Sequence, residues 1–320
     1  MKILFVASDK NGSFSPFVVE QREALIQVGM TVDSYAHRAH GILNYLKEVR
    51  HLRRAIKIAK PNVVHAHFGL TGLMATLATI GLRVPVVVTY HGCDINDTKL
   101  RPFSRMAMQM SAWNIFVSHR QLINAFGSEQ SARRCKKWSI IPCGVNIQAC
   151  DQKYVDEKWF ETKFPSNSYV LFAGSFESEV KDPTLAKHVI EAYNQLYPED
   201  AVELLELRGY SRSEVVTLMH QCNALLLTSI REGSPQVVKE AMACGCPIVS
   251  VDVGDVEERT SGVEGCYVVA SRDPHELANT LAQSIHFGRT KGKEKLLEAR
   301  LDNAQIAERL IDLYTKVTKK

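Results

Sequence analysis

The chain has 320 residues, 45% of them hydrophobic and 23% charged, and a formal net charge of +4. At about 100–200 residues per domain, that length points to two domains, each large enough to bury a core without disulfide or metal staples. The composition excludes disordered, collagen-like and coiled-coil chains, and no apolar run reaches the roughly 18 residues of a membrane-spanning helix.

Lys2–Ala7 is a short apolar run that predicts a strand buried on both faces. It is too short for a secretory signal and lacks a small-residue cleavage site, so the expected location is the cytoplasm. The turn Asn11-Gly12-Ser13 leads to a helix over Phe17–Val28, stopped by Gly29. Thr31–Tyr35 reads as a strand. The apolar spacing of Ile42, Leu46, Val49, Leu52, Ile56 and Ala59 predicts a helix, which Pro61 ends. Strands over Asn62–Ala66, Pro85–Tyr90 and Trp113–Val117 then alternate with helices over Leu70–Ile80 and Arg101–Ser111. After a polar linker, Asn146–Asn167, the alternation resumes. Strands are predicted at Tyr169–Ala173, Ala201–Leu207, Ala224–Thr228, Pro247–Val251 and Tyr267–Val269. Helices are predicted at Pro183–Tyr197, Ser213–Cys222, Pro235–Ala243, His275–Gly288 and Asn303–Thr318. Strands separated by helices mean βαβ units. The expected fold is α/β, with two Rossmann-like, doubly wound parallel sheets facing across a cleft. The expected domains are 1–150, with the last helix returning to it, and 165–300.

Charge divides along the same line. Residues 1–150 hold 19 Lys+Arg and 8 Asp+Glu, net +11; residues 151–320 hold 20 and 27, net −7. The basic helix Lys47, Arg50, Arg53, Arg54, Lys57, Lys60 and the cluster Arg133, Arg134, Lys136, Lys137 beside Trp138 fit a solvated face or an anionic membrane surface. No nucleic-acid motif accompanies them, and no nucleic-acid partner is expected. The eight cysteines form no CxxC pair and read as small buried hydrophobes.

The most informative segment is Arg231-Glu232-Gly233-Ser234-Pro235-Gln236-Val237-Val238-Lys239-Glu240, followed by Ala-Met-Ala-Cys-Gly-Cys-Pro. Ser234 suits an N-cap, Pro235 the first helical position and Gly245 the C′ position. The first turn would offer N–H groups to an anion. Glu240 lies about 8 Å along the helix from Pro235, so Glu232 and Glu240 could hold two ends of an extended ligand. Spacing alone equally allows an ordinary capped core helix with two solvated glutamates.

This segment resembles the signature of retaining glycosyltransferases of family four, which have the GT-B fold. Further stretches agree: Gly12 in the first loop, Pro61–His67, Tyr90-His91-Gly92-Cys93-Asp94, Ile141-Pro142-Cys143-Gly144-Val145-Asn146, and Val170–Gly174 followed by Lys181. The resemblance implies transfer of a sugar, with retention, from a UDP- or GDP-sugar to a saccharide or lipid-linked acceptor in surface polysaccharide synthesis. It implies catalytic roles for Glu232 and His91 at the donor sugar and for Lys181 at the diphosphate. It implies donor contacts from Glu240 to ribose and from Gly12, Gly233, Ser234, Pro235, Gln236 and Val237. In the family the leaving phosphate takes the acceptor proton on the same face of the sugar. No cofactor or metal is implied, because the nucleotide-sugar is a substrate. Ser175 stands where the family usually has an arginine beside the diphosphate, with Arg231 or Lys239 as replacements to consider. Asp94 and His119 are further cleft candidates. His65 and His67 share one face of a strand but lack a third ligand for a metal. Two alternatives share the fold: a non-catalytic nucleotide-binding scaffold or partner subunit, suggested by Ser175, and a nucleotide-sugar epimerase.

Overall fold

The computed structural model describes residues 1–9, 14–39, 42–164 and 168–319. The chain divides into two compact units, Met1–Gly144 with Asn303–Lys320, and Val145–Asp302. Each is a parallel sheet covered by helices, so the strands are apolar on both faces.

The first unit contains β1 (Lys2–Ser8), α1 (Pro16–Gln27), β2 (Thr31–His37), α2 (Ile42–Ala59), β3 (Val63–His67), α3 (Gly69–Ala78), β4 (Val86–Tyr90), α4 (Cys93–Asn96), α5 (Arg101–Met110), β5 (Trp113–Phe116), α6 (His119–Phe126), α7 (Glu129–Arg134) and β6 (Trp138–Ile140). The strand order is β2-β1-β3-β4-β5-β6, all parallel. The order reverses direction between β1 and β3, which makes the carboxyl ends there a natural ligand position. On one face, Leu52 and Ile56 of α2, Met74 and Ala78 of α3, Met108 of α5 and Leu122 of α6 join Val64 and Val88 in a single core. On the other face Phe5 packs edge-on against His65 and at a tilt against His67. The chain's last helix completes this face: its Tyr314 hydroxyl is hydrogen-bonded to His65 Nδ1 at 2.5 Å.

The second unit contains α8 (Glu157–Lys163), β7 (Ser168–Phe172), α9 (Pro183–Leu196), β8 (Val202–Glu206), α10 (Arg212–Gln221), β9 (Ala224–Leu227), α11 (Gln236–Ala243), β10 (Ile248–Val251), α12 (Val256–Thr260), β11 (Cys266–Val269), α13 (Pro274–Phe287) and α14 (Gly292–Glu298); α15 (Asn303–Thr318) is the returning helix. The order β11-β10-β9-β7-β8 is again parallel, with its reversal between β7 and β9.

The short elements β6, α6, α7, α8, α12 and α14 go beyond the sequence-based expectation, and α8 replaces part of the expected polar linker. Residues 165–167 of that linker, and the Asn11-Gly12-Ser13 turn with its candidate Gly12, lie outside the described residues. The basic stripe of α2 is only partly a solvated face. Arg53 donates from Nη1 to the carbonyls of Ala78 (2.9 Å) and Ile80 (2.7 Å), closing the end of α3.

Gly69 lies at a close contact between α3 and α5. A Cβ there would overlap the Ser104 hydroxyl and stand 2.9 Å from the Ser104 Cα. Gly69→Ala is expected to destabilise the protein by about 1–3 kcal/mol through overpacking, measured by urea unfolding. An unchanged midpoint would contradict this contact.

Candidate active site

In the second unit the loops after β7 and β9 meet at the carboxyl ends of their strands. Lys181 Nζ stands 2.6 Å from Glu232 Oε1, and the same oxygen accepts from Ser229 Oγ at 2.8 Å. Both partners are largely enclosed, with side chains 26% and 15% exposed. Gly174 makes room for the lysine: a Cβ there would stand 2.7 Å from Lys181 Cγ. Gly254 does the same for the glutamate, since a Cβ would stand 3.0 Å from Glu232 Cβ and 3.1 Å from the Gly233 carbonyl; its φ is +60°. The two loops are stitched by Ile230 N–H to Val180 O (2.9 Å) and by Thr228 Oγ1 to the carbonyls of Lys181 and Asp182 (2.9 Å each).

The helix α11 begins beside this pair. Its N-cap is Pro235, in an extended conformation with ψ 119°, and no side chain caps it. The expected Ser234 cap is therefore not formed, and Pro235 lies just outside the helix. The proline's extended ψ delays the first helical residue to Gln236, while Ser234 Oγ instead accepts from Lys239 Nζ at 3.4 Å. Gly245 does follow the helix with φ +66°, as the sequence suggests. Val237 lies in the first turn and is partly buried. A helix N-terminus at this point favours an anion.

Glu240 lies farther along α11, with its side chain 11% exposed, and Arg212 Nη1 stands 2.5 Å from its Oε1. Arg212 opens α10, whose Ser211 and Glu214 form a capping box. Ser175 closes its own turn: its Oγ accepts from Glu177 N–H at 3.2 Å. Of the two replacement cations considered for it, Lys239 is fully buried and directed to Ser234, and Arg231 is exposed. A cation the sequence reading passed over is hydrogen-bonded to both loops. Arg272 donates to the carbonyls of Thr228 (2.6 Å) and Ser229 (3.3 Å) and pairs with Asp182 at 2.7 Å. Arg212, Ser229, Gly254 and Arg272 were legible only as residues next to strand ends or helix starts, a signal many other residues share.

In the first unit the remaining candidates gather at the carboxyl ends of β3 and β4. His65 and His67 stack with ring centroids 4.5 Å apart, and His67 stacks on His91 at 5.4 Å. His67 Nδ1 is 3.1 Å from His91 Nε2, and His91 Nδ1 is 3.7 Å from Cys143 Sγ. His67 Nε2 is buried with no partner. A bare lone pair is the cheaper atom to leave there, so His67 carries its proton on Nδ1 and donates to His91. Burial holds His67 down to about 3 and His65 well below the usual histidine value. Both rings are therefore neutral core groups rather than ligands facing a substrate. Among the described residues no His, Cys, Asp or Glu cluster could hold a metal.

Asp94 organises the loop that carries His91. Its Oδ1 accepts from the N–H groups of His91 (3.1 Å) and Gly92 (3.0 Å), and its Oδ2 accepts from Gly69 N–H (3.0 Å) at the start of α3. Burial pushes its carboxyl up to about 6 against the pull of these donors. Asp94 is thus a buried loop anchor. His91 packs against both Phe17 (4.7 Å) and Phe68 (4.6 Å), which also touch each other. Phe68 itself has φ 72° and ψ 146°, a region other than glycine rarely enters and one that costs on the order of 1–3 kcal/mol. His119 is the first residue of α6, behind the N-cap Ser118, and among the described residues no hydrogen bond joins it to His91.

Comparison with known proteins agrees with the fold. Residues 15–149 match a family model described as Glycosyltransferase Family 4, and residues 170–286 match one described as Glycosyl transferases group 1. The match is to a glycosyltransferase in each half of a two-domain, Rossmann-like GT-B fold, and together the two support a GT-B glycosyltransferase. The N,N'-diacetylbacillosaminyl-diphospho-undecaprenol alpha-1,3-N-acetylgalactosaminyltransferase of Campylobacter jejuni is 32% identical over 113 residues, 34% of this chain and 30% of that protein. The putative teichuronic acid biosynthesis glycosyltransferase TuaC of Bacillus subtilis is 23% identical over 298 residues, 81% of this chain and 72% of that protein. Among solved structures, sucrose-phosphate synthase from Thermosynechococcus elongatus superposes with a TM-score of 0.78 at 16% identity, covering 99% of this chain and 98% of that one. Among the described residues no helix is long and apolar enough to cross a membrane.

Proposed function

We propose that the protein is a retaining hexosyltransferase that moves a sugar from a UDP- or GDP-sugar to a saccharide or lipid-linked acceptor in surface polysaccharide synthesis. The observation that carries this reading is the Lys181–Glu232 pair, 2.6 Å apart at the strand reversal beside the N-terminus of α11. Lys181 would neutralise the leaving diphosphate, and Glu232 would orient hydroxyls of the donor sugar. Glu240 would bind the ribose, with Arg212 holding its carboxylate in place. His91 would contact substrate through a ring whose two nitrogens are already engaged in the unit, so binding would exchange one of those contacts. The residues Gly233, Ser234, Gln236 and Val237 would line the donor phosphates and sugar. No metal or other cofactor enters this scheme. The chain would work in the cytoplasm, peripheral to the inner membrane face, with its basic first unit toward anionic lipid. The curated relatives that support this reading include one of which the matched part is less than a third.

The test is thermal unfolding with UDP, GDP, ADP and their common sugars. A ligand that binds only the folded chain raises stability as RT ln(1+[L]/Kd). A shift with UDP or GDP ligands, followed by anomer-resolved product analysis with acceptor extracts, is the expected result. No shift with any ligand would sink the reading and favour a non-catalytic partner subunit, for which Ser175 in place of a cation is the specific argument. Glu240→Ala is expected to weaken nucleotide binding by about 1–3 kcal/mol, the value of a hydrogen bond to a charged group. Calorimetry with UDP and GDP would check this, and an unchanged Kd would remove Glu240 from the ribose.

A further inference from the structure

The first unit has an open hollow of about 580 Å³ that the donor chemistry does not use. Arg105, Arg134, Lys136 and Lys137 line it, with Met108 and Phe126 among its apolar walls. It contains no acidic side chain, and none of the four cations has an ion-pair partner among the described residues.

The hollow lies away from His91 and Asp94. Helix α5 leaves the carboxyl end of β4 and returns the chain to the start of β5, where Ala112 N–H donates to Val86 O at 2.8 Å. Residues Lys136 and Lys137 likewise lead into the start of β6. The hollow therefore opens near the amino edge of the sheet, while the histidines lie at the carboxyl edge.

Its walls are fixed from beneath. The buried Asn114 side chain donates from Nδ2 to the carbonyls of Met108 (3.1 Å) and Lys137 (3.3 Å), tying α5 to the segment entering β6. Its Oδ1 accepts from Tyr90 (3.0 Å) and Ser111 (2.9 Å). Trp138 Nε1 donates to Ala132 O at 2.7 Å and holds the end of α7. Four cations are thus presented around an apolar depression by a frame that does not need to reorganise on binding.

We infer that this hollow binds the phosphate of one anionic lipid headgroup at a membrane surface. The cations supply the charge complement to a phosphate diester. The apolar wall, formed by Met108, Ala125 and Phe126, suits the glycerol and first methylenes of a lipid better than a fully hydrated free anion. This deepens the membrane reading given above and is independent of the donor site.

The experiment is sedimentation of the whole protein with vesicles of phosphatidylcholine, with and without phosphatidylglycerol. The variant Arg105→Gln/Arg134→Gln/Lys136→Gln/Lys137→Gln is compared with Lys47→Gln/Arg50→Gln/Arg54→Gln/Lys57→Gln on α2, which removes the same charge outside the hollow. Binding that requires phosphatidylglycerol and falls about fivefold per cation in the first variant only is the expected result. Equal losses in both variants would mean diffuse attraction and would overturn the site. So would retention of binding in the first variant, or competition by a short nucleic-acid duplex at matched salt. Thermal shifts with UDP and GDP are read on the same samples. Vesicle binding without nucleotide binding would leave the hollow standing and remove the transferase reading; the reverse would do the opposite. Unchanged unfolding temperatures exclude misfolding of either variant.

Discussion

Lys181→Ala is expected to lower kcat by about 10²–10³ with a smaller change in KM, if Lys181 meets charge that grows on the leaving diphosphate in the transition state. The lysine is already positioned by its 2.6 Å contact with Glu232 and by the space Gly174 leaves beside it. Little reorganisation would then be needed when substrate arrives. Glu232→Gln keeps the size of the side chain and its hydrogen bond from Ser229 but removes the charge facing Lys181. It is expected to lower kcat as well, and the two single losses are expected not to add in Lys181→Ala/Glu232→Gln, because each mutation disturbs the other's partner. Steady-state kinetics on the identified donor, with single-turnover rates, would read this. A purely KM effect of Lys181→Ala would place the lysine in ground-state binding alone. Full additivity would mean that the 2.6 Å pair has no bearing on turnover.

The parallel α/β architecture was legible because each central strand is a short apolar run and each long helix carries a periodic stripe. Ile3–Ala7 and Val63–His67 are buried on both faces for the reason their composition suggests. The short elements escaped because three to eight residues, as in Trp138–Ile140 or His119–Phe126, give too little periodicity to read. At α11 the residue types pointed to the right helix but the wrong first residue, because Pro235 fits either side of a helix start and its ψ decides. Glu232 and Lys181 are 51 positions apart, and only the meeting of the β7 and β9 loops brings them together. Arg272 is farther still, and nothing in its local sequence distinguishes it from a solvated arginine. The histidines show the converse. Their alternation on β3 was plain, but whether they face solvent or a core depends on Phe5 and on Tyr314 from the other end of the chain.

The buried histidines and Asp94 should make stability rise between pH 4 and 6 by about 1.4 kcal/mol per pH unit, the value of one net proton. In the unfolded chain His65 and His67 titrate near 6.5 and are protonated in that window, while an unfolded Asp94 near 3.8 is ionised. In the folded chain His67 lies near 3 and His65 well below its usual value, so both are neutral; Asp94, near 6, is protonated. The unfolded state thus holds two protons and the folded state one. The depressed histidines contribute stability that is complete above about 6.5 and lost as pH falls. The raised aspartate works in the opposite sense, and its contribution is lost as pH rises through 6. Two variants separate the terms. His67→Asn removes one histidine proton from the unfolded state, and the slope attributable to this cluster should fall to near zero. Asp94→Asn removes the opposing proton, and the slope should about double, although the variant is less stable at every pH because an amide cannot accept from both His91 and Gly69. Urea unfolding at half-unit steps from pH 4 to 7 gives the slopes, and titrations elsewhere in the chain cancel in the differences. Three parallel curves would show that these groups do not hold the protonation states that their burial imposes.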